Sequence, residues 1–209
     1  MRLPRTMTPV LLLAVSIGAF AQPTVRTVAQ PIPDQDRSLQ FHLLDDSRLW
    51  IEGTTTVNAF SCDATTMSLS DAKASASEVR AKLDVPVDDL ECGRAKMNHD
   101  LQEAMKSDQF PGIQFRLEST EVLGEPSWQD GGFPVAATGQ LTVAGVQKRI
   151  QTEATAYSLD DGTYRVQGSL PIRMTDYNVT PPRVLRGLIR VRDDITVRFD
   201  LRVAETATH

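Results

Sequence analysis

Thr138-Gly139-Gln140-Leu141-Thr142-Val143-Ala144-Gly145-Val146-Gln147-Lys148 is two strands joined by a reversal. Before Ala144-Gly145, apolar Leu141 and Val143 alternate with polar Gln140 and Thr142. After it, Val146, Ile150 and Thr152 alternate with Gln147, Arg149, Gln151 and Glu153, and Lys148 is the exception near the turn. Successive side chains of a strand point to opposite faces, so this alternation marks an antiparallel hairpin with one apolar and one wet face. A second block, Phe110-Pro111-Gly112-Ile113-Gln114-Phe115, starts on Pro-Gly and continues with the same period through Leu117. Neither block carries a nucleophile, a metal cluster or a phosphate-binding loop.

The period-two pattern spreads outward from these blocks. Val79, Ala81, Leu83, Val85 and Val87 alternate with Arg80, Lys82 and Asp84, and Tyr164, Val166, Gly168, Leu170 and Ile172 face away from Arg165, Gln167, Ser169 and Arg173. The run is cleanest at Ile195, Val197, Phe199, Leu201 and Val203. Further strands are expected at 38–44 and 48–58, joined by an Asp45-Asp46-Ser47 turn, and at 63–71. One helix is expected from Arg94 to Asp108, with Met97, Leu101, Ala104 and Met105 at helical spacing. Eight or so meandering antiparallel strands leave two exposed edges unless the sheet closes. The fold class is therefore all-β, an antiparallel barrel with the helix capping one end; a two-sheet sandwich is the alternative.

The N-terminus has the features of an export signal: Arg2 and Arg5, an apolar run from Val10 to Val15, and Ala19-Phe20-Ala21 before the expected cut at Gln22. That run is shorter than the roughly 20 residues that span a bilayer. The expected organisation is a signal peptide (1–21), a flexible leader (22–37) and a barrel domain (38–205), with the mature chain in the periplasm or secreted. The formal charge of −5 becomes about −7 once Arg2 and Arg5 are removed. Nucleic-acid binding needs a cationic face to displace phosphate counterions, so no nucleic-acid partner is expected. Arg183, Arg186, Arg190 and Arg192 are followed by Asp193 and Asp194 and suit a solvated loop. Cys62 and Cys92, an even count in an exported chain, favour a structural disulfide. The other possibility, a reactive pair, lacks the C-x-x-C spacing that lowers a thiol pKa.

Catalytic equipment is sparse. The histidines are His42, His99 and His209; His99 has no partner at i+4, so no helical zinc motif exists. Asp45/Asp46, Asp88/Asp89 and Asp193/Asp194 fall at expected strand ends, where turn chemistry accounts for them. The expectation is a non-enzyme with no cofactor and no metal. The inward residues are mostly of medium size, and Gly139 and Gly168 are expected to leave room among them, so either a packed core or a cavity for an apolar chain fits the alternation.

The helix, the Phe110-Pro111-x-Ile113-x-Phe115 block and the Gly139-x-Leu141-Thr142-Val143-x-Gly145-Val146-x-Lys148 block, in that order, resemble the YceI family of exported lipid-binding proteins. Cys62, Cys92 and the Met174–Pro182 segment resemble its cysteine-containing subgroup. The resemblance implies an extended, eight-stranded lipocalin-like barrel that holds, stores or carries a polyisoprenoid or isoprenoid quinone. The expected lipid-lining residues are Phe115, Leu117, Leu141, Val143, Ile150, Val166, Leu170, Ile172 and Phe199 in the barrel, with Met97, Leu101 and Met105 at the helix end. Tyr177 is the candidate headgroup contact. The expected partner is an apolar lipid, with no membrane-spanning segment and at most transient membrane contact. Two other readings stay open: a stress-related interaction protein with a solid core and the Arg183–Arg192 loop as its contact surface, and a lipid-acting enzyme with acids or histidines converging inside the barrel.

Overall fold

The computed structural model describes residues 39–75, 78–127, 131–184 and 188–206. The expected signal peptide, the leader and residues 185–187 of the arginine cluster lie outside these. The strands are β1 (Leu39–Leu43), β2 (Arg48–Thr55), β3 (Ala59–Ala64), β4 (Ser68–Ala74), β5 (Val79–Pro86), β6 (Leu90–Glu91), β7 (Gly112–Val122), β8 (Phe133–Val143), β9 (Val146–Ser158), β10 (Tyr164–Arg173), β11 (Arg183–Val184) and β12 (Ile189–Glu205). The helix α1 is Ala95–Met105.

These segments make eight staves, because three of the staves are broken in the middle. Strands β1 and β2 both run antiparallel to β12, with Leu43 opposite Val203 and Leu49 opposite Phe199. They are one interrupted stave, and Asp45-Asp46-Ser47 is not the hairpin turn that its composition suggests. The chain there bulges and is stitched to β12 instead. The Leu44 amide and the Ser47 hydroxyl both donate to the Arg202 carbonyl (2.9 and 3.0 Å). The Arg202 amide donates back to Ser47 Oγ (2.9 Å), and the Arg202 guanidinium pairs with Asp46 (2.5 Å). Segments β3 and β4 form the next stave in the same way, and β5 and β6 the third, broken by a 3₁₀ turn at Val87–Asp89. From there β7, β8, β9, β10 and β12 pair in sequence order, and Phe41 opposite Glu205 closes the circle. Closure gives every long strand a neighbour on both sides, which is the physical reason for a barrel rather than an open meander.

The Ala144-Gly145 reversal joins β8 to β9 with both residues at positive φ (46° and 76°). That is the two-residue hairpin whose twist matches the flanking strands. The phenyl ring of Phe110 occupies the space where a Cβ on Gly145 would sit. The helix is shorter than its periodicity suggests. Lys106 adopts a left-handed conformation (φ 55°), and its amide donates to the Gln102 and Glu103 carbonyls, which ends the helix at Met105. The Cys62–Cys92 disulfide ties β3 to the approach of α1, and the Cys92 amide donates to the Asn98 side chain (2.8 Å).

Candidate functional site

The barrel interior divides at the level of three phenylalanines. Register places Phe60 beside Gly53 and Phe199 beside Gly168, and the ring of Phe115 lies against Gly139. A Cβ on Gly168 would stand 2.5 Å from Phe199 Cζ and 2.9 Å from the Glu153 carbonyl. These glycines therefore do not leave room inside the barrel, contrary to the expectation for Gly139 and Gly168. Each supplies a slot for a ring on a neighbouring strand.

Toward the helix end the interior is solid. Val87, Met105, Leu141, Val143, Met174, Tyr177 and Val179 form one buried cluster, with Leu101, Phe115, Ile150, Leu170 and Ile172 packed against it. Leu49, Ile51, Cys62, Val85 and Leu90 form a second cluster, on which Phe60, Leu101, Val197 and Phe199 lie. The segment after β10 plugs this end. Met174, Tyr177 and Val179 are all buried, while Thr175 and Asn178 between them stay exposed. The plug is latched from outside: Asp193 accepts from the Thr175 amide (2.9 Å) and hydroxyl (2.6 Å), and Lys148 pairs with Asp176 (3.4 Å). Between plug, helix and the Phe60 stave remains an apolar cavity of about 50 Å³.

Toward the other end the pattern changes. Continuing the alternation of the packed residues, the inward positions include Phe41, Leu43, Ala81, Leu117, Val135, Ala137, Ala156, Val166, Leu201 and Val203, and all are half-buried. The largest of the fully buried residues on this half are alanines, Ala72, Ala136 and Ala154. Val122 (62 % exposed), Phe133 (39 %) and Tyr164 (40 %) stand at the rim. Inside that rim the ring of Phe41 meets Tyr164 edge to face, with centroids 5.7 Å apart.

Most of the thirteen lipid-lining candidates fall in the solid half. Leu141, Val143, Met105 and Tyr177 are members of the buried cluster, and Phe115, Ile150, Leu170, Ile172 and Leu101 pack on it. Phe199 packs on the second cluster. Leu117 and Val166 lie above the phenylalanine level, and Met97 is a half-buried residue of the first helical turns. Tyr177 is 2 % exposed, and its ring carries the Lys148 ammonium 5.6 Å from its centroid. Burial first, and the neighbouring Asp176 carboxylate second, hold its phenol above the ordinary value. It is a plug residue, not a mouth residue.

Sequence reasoning passed over Phe60, Phe41 and the plug residues Met174 and Val179. The signal for the plug was present: Met174, Tyr177 and Val179 punctuate a polar loop, which is wasteful unless they are buried. Among the described residues no group of three or more His, Cys, Asp or Glu is placed to hold a metal. His99 is exposed on the helix beside Glu103 (3.6 Å), and His42 lies near the Thr206 hydroxyl (3.4 Å), so neither points into the interior clusters.

The outer wall carries the larger concavity, a trough of about 470 Å³ over β9, β10 and β12. Its floor is Ala154, Gly168 and Phe199; Trp50 and Arg198 rise on one side, Leu123 and Pro134 on the other. Arg165 clamps Asp200 on this wall with two bonds (2.7 and 2.5 Å), and Gln167 adds a third (3.0 Å). Arg165 foremost, then Gln167, hold the Asp200 carboxyl below its ordinary range against the opposing effect of burial.

No curated protein sequence matches this chain. Among solved structures it is similar to a polyisoprenoid-binding domain from Saccharophagus degradans, at 16 % identity and a TM-score of 0.63 over 80 % of this chain and 99 % of that one. It is likewise similar to BcnA of Burkholderia cenocepacia, at 18 % identity and a TM-score of 0.60 over 76 % and 96 % of the two chains. At such identities the likeness speaks for the fold. Residues 38–203 match the YceI-like domain, nearly the whole of the described barrel, and the chain belongs to the YceI-like family.

Proposed function

We propose that this protein binds one apolar long-chain lipid, of the polyisoprenoid or isoprenoid-quinone type, without catalysis, in the half of the barrel above Phe115 and Phe199. The observation that carries the reading is the contrast between the two halves. Below the phenylalanines large side chains interlock and many are buried; above them the inward residues, from Ala81 and Ala137 to Leu117, Val166 and Leu201, are only half-buried, beneath an apolar rim. A hydrocarbon in that space gains about 0.8 kcal/mol per buried CH₂ and needs no charged partner. Membership of the family and a neighbour described as polyisoprenoid-binding support the same ligand class. The reading takes the carrier or store to act outside the cytoplasm, in keeping with the export-signal features of the N-terminal sequence and with a Cys62–Cys92 bridge.

The chamber is short. From Phe199 to Glu205 is six residues of β12, about 20 Å of strand at the usual rise. With the roughly 40° tilt of barrel strands, this gives about 15 Å of depth. Native mass spectrometry after gentle purification tests the reading: a lipid adduct is expected on the wild type and is lost in Ala137→Phe, which fills the chamber. Were Ala137→Phe to raise stability while no preparation ever carried a lipid, the upper half would be an ordinary unfilled core and the reading would fail.

A further inference from the structure

The barrel wall is not zipped all the way round. Strand β9 runs from Val146 to Ser158 and β10 from Tyr164 to Arg173, yet their ladder spans only Tyr164 opposite Ser158 to Gly168 opposite Ala154. On their other sides both strands are paired along their length, β9 with β8 from Val143–Val146 to Phe133–Ala156, and β10 with β12 from Tyr164–Val203 to Arg173–Asp194. The chemistry of the break is legible. The Ser169 carbonyl accepts from the Thr152 hydroxyl (3.1 Å). Two residues on, and so on the same strand edge, stands Pro171, which has no N–H to donate. Below that point β9 and β10 are held by side chains alone, down to the Lys148–Asp176 ion pair at the plug.

This seam begins at the phenylalanine level. Ala154 and Gly168, the last paired residues, are also the floor of the outer trough, and Phe199 shows through beneath them. A chamber about 15 Å deep takes a short prenyl chain fully extended, so a longer one needs a second opening. The β9–β10 ladder is interrupted where the chamber ends, and outside it lies a trough of about 470 Å³ in which Trp50, Leu123 and Pro134 offer apolar contact among the polar side chains of Glu153, Gln167, Arg198 and Asp200.

We propose that the seam between β9 and β10 is a side port, and that the trough is a second binding subsite for the part of an isoprenoid chain that the chamber cannot hold. The proposal rests on the lipid-binding reading above. Parting the seam costs the Thr152–Ser169 bond and exposes the flanks of Ile150, Leu170 and Ile172, which the chain itself then covers. Trough and chamber together make the protein selective for length, since only a chain that reaches the port gains from the trough.

A staple across the seam tests this. Extending the register one step sets Ser169 opposite Glu153, so Glu153→Cys with Ser169→Cys closes the head of the port when oxidised, the native cysteines being already paired. Affinities for geraniol, farnesol and geranylgeraniol are measured by displacement of a bound fluorescent polyene, with each single cysteine variant as the control. Geraniol should bind stapled and control proteins alike, while geranylgeraniol loses about tenfold in the stapled protein, the worth of a few methylenes returned to water. Ser169→Trp, which fills the trough and leaves the chamber untouched, should give the same length-selective loss without a crosslink. Equal affinities for all three alcohols in stapled, Trp-filled and control proteins would refute the port and leave the chamber standing. Failure of every alcohol to bind even the wild type would instead remove the lipid-binding reading, and the port with it.

Discussion

Gly168→Ala puts the division of the barrel to a direct test. The added methyl would lie 2.5 Å from Phe199 Cζ and 2.9 Å from the Glu153 carbonyl oxygen, both inside van der Waals contact. The phenyl ring can swing, but the carbonyl belongs to β9, so β9 or β10 has to move as well. Overpacking of this kind costs about 1–3 kcal/mol. Against it stands about 0.4–1 kcal/mol gained from the stiffer unfolded chain, because Gly168 is not among the residues at positive φ. The net expectation is a loss of about 1–2 kcal/mol, seen as a lower urea midpoint at unchanged m-value. Adding Phe199→Leu should return part of that loss, since the shorter side chain vacates the slot, and a double-mutant cycle isolates the coupling. If Gly168→Ala were neutral or stabilising, Phe199 would not occupy the slot, and the barrel would be hollow at this level as the bare sequence suggests.

Three further outcomes are expected. Replacing both Cys62 and Cys92 by serine opens a closure with a sequence separation of 30 and should cost about 3–4 kcal/mol on the chain-entropy account; a denaturant midpoint within error of wild type would refute it. Asp200→Asn bears on pH: with its folded pKa depressed, chiefly by Arg165, the carboxylate contributes stability that is complete above an unfolded value of about 3.9 and is lost as pH falls through the lower folded value. The gap in urea midpoint between wild type and Asp200→Asn should therefore be constant near neutrality and close below about pH 4; a gap independent of pH contradicts the assignment. Tyr177→Ala removes a buried ring from the plug and should cost about 3–5 kcal/mol, with bound lipid retained in whatever fraction stays folded. Selective loss of lipid at unchanged stability would make Tyr177 a ligand contact after all.

Strand identity was legible because alternation reports a wet face and a dry face directly, as in Ile195 to Val203. Closure followed from counting edges. What alternation cannot encode is which strands share a stave, because that depends on pairing partners distant in sequence. Asp45-Asp46-Ser47 has the composition of a reversing turn, and the bonds of the Leu44 amide and the Ser47 hydroxyl to the Arg202 backbone, with the Asp46–Arg202 ion pair, keep the chain running on along β12. The interior was misjudged for a related reason. A glycine on an inward face is empty only if no neighbour leans over it, and the leaning residues, Phe199 for Gly168 and Phe115 for Gly139, sit on other strands. The plug shows the same limit: Tyr177 beside a Pro-Pro loop suggests a mouth, and its burial is decided by Leu141, Val143 and Met105 across the barrel.

On the proposed reading, the uneven burial of the two barrel halves would let one fold hold a lipid and remain stable without it. A barrel hollow from end to end would have to draw its whole stability from the strand ladders, since a lipid that comes and goes cannot count as core. Here the helix, the plug and the disulfide are all gathered at one end, around Val87, Leu90, Met105 and Val143, where both buried apolar clusters lie. The opposite end can then carry alanines at Ala81, Ala137 and Ala156 and leave an apolar rim in water. If that reading holds, substitutions below Phe199 should act on folding and those above it on binding. Phe199 stands at the boundary, because its ring packs on the buried cluster of Leu49 and Ile51 and also lines the outer trough.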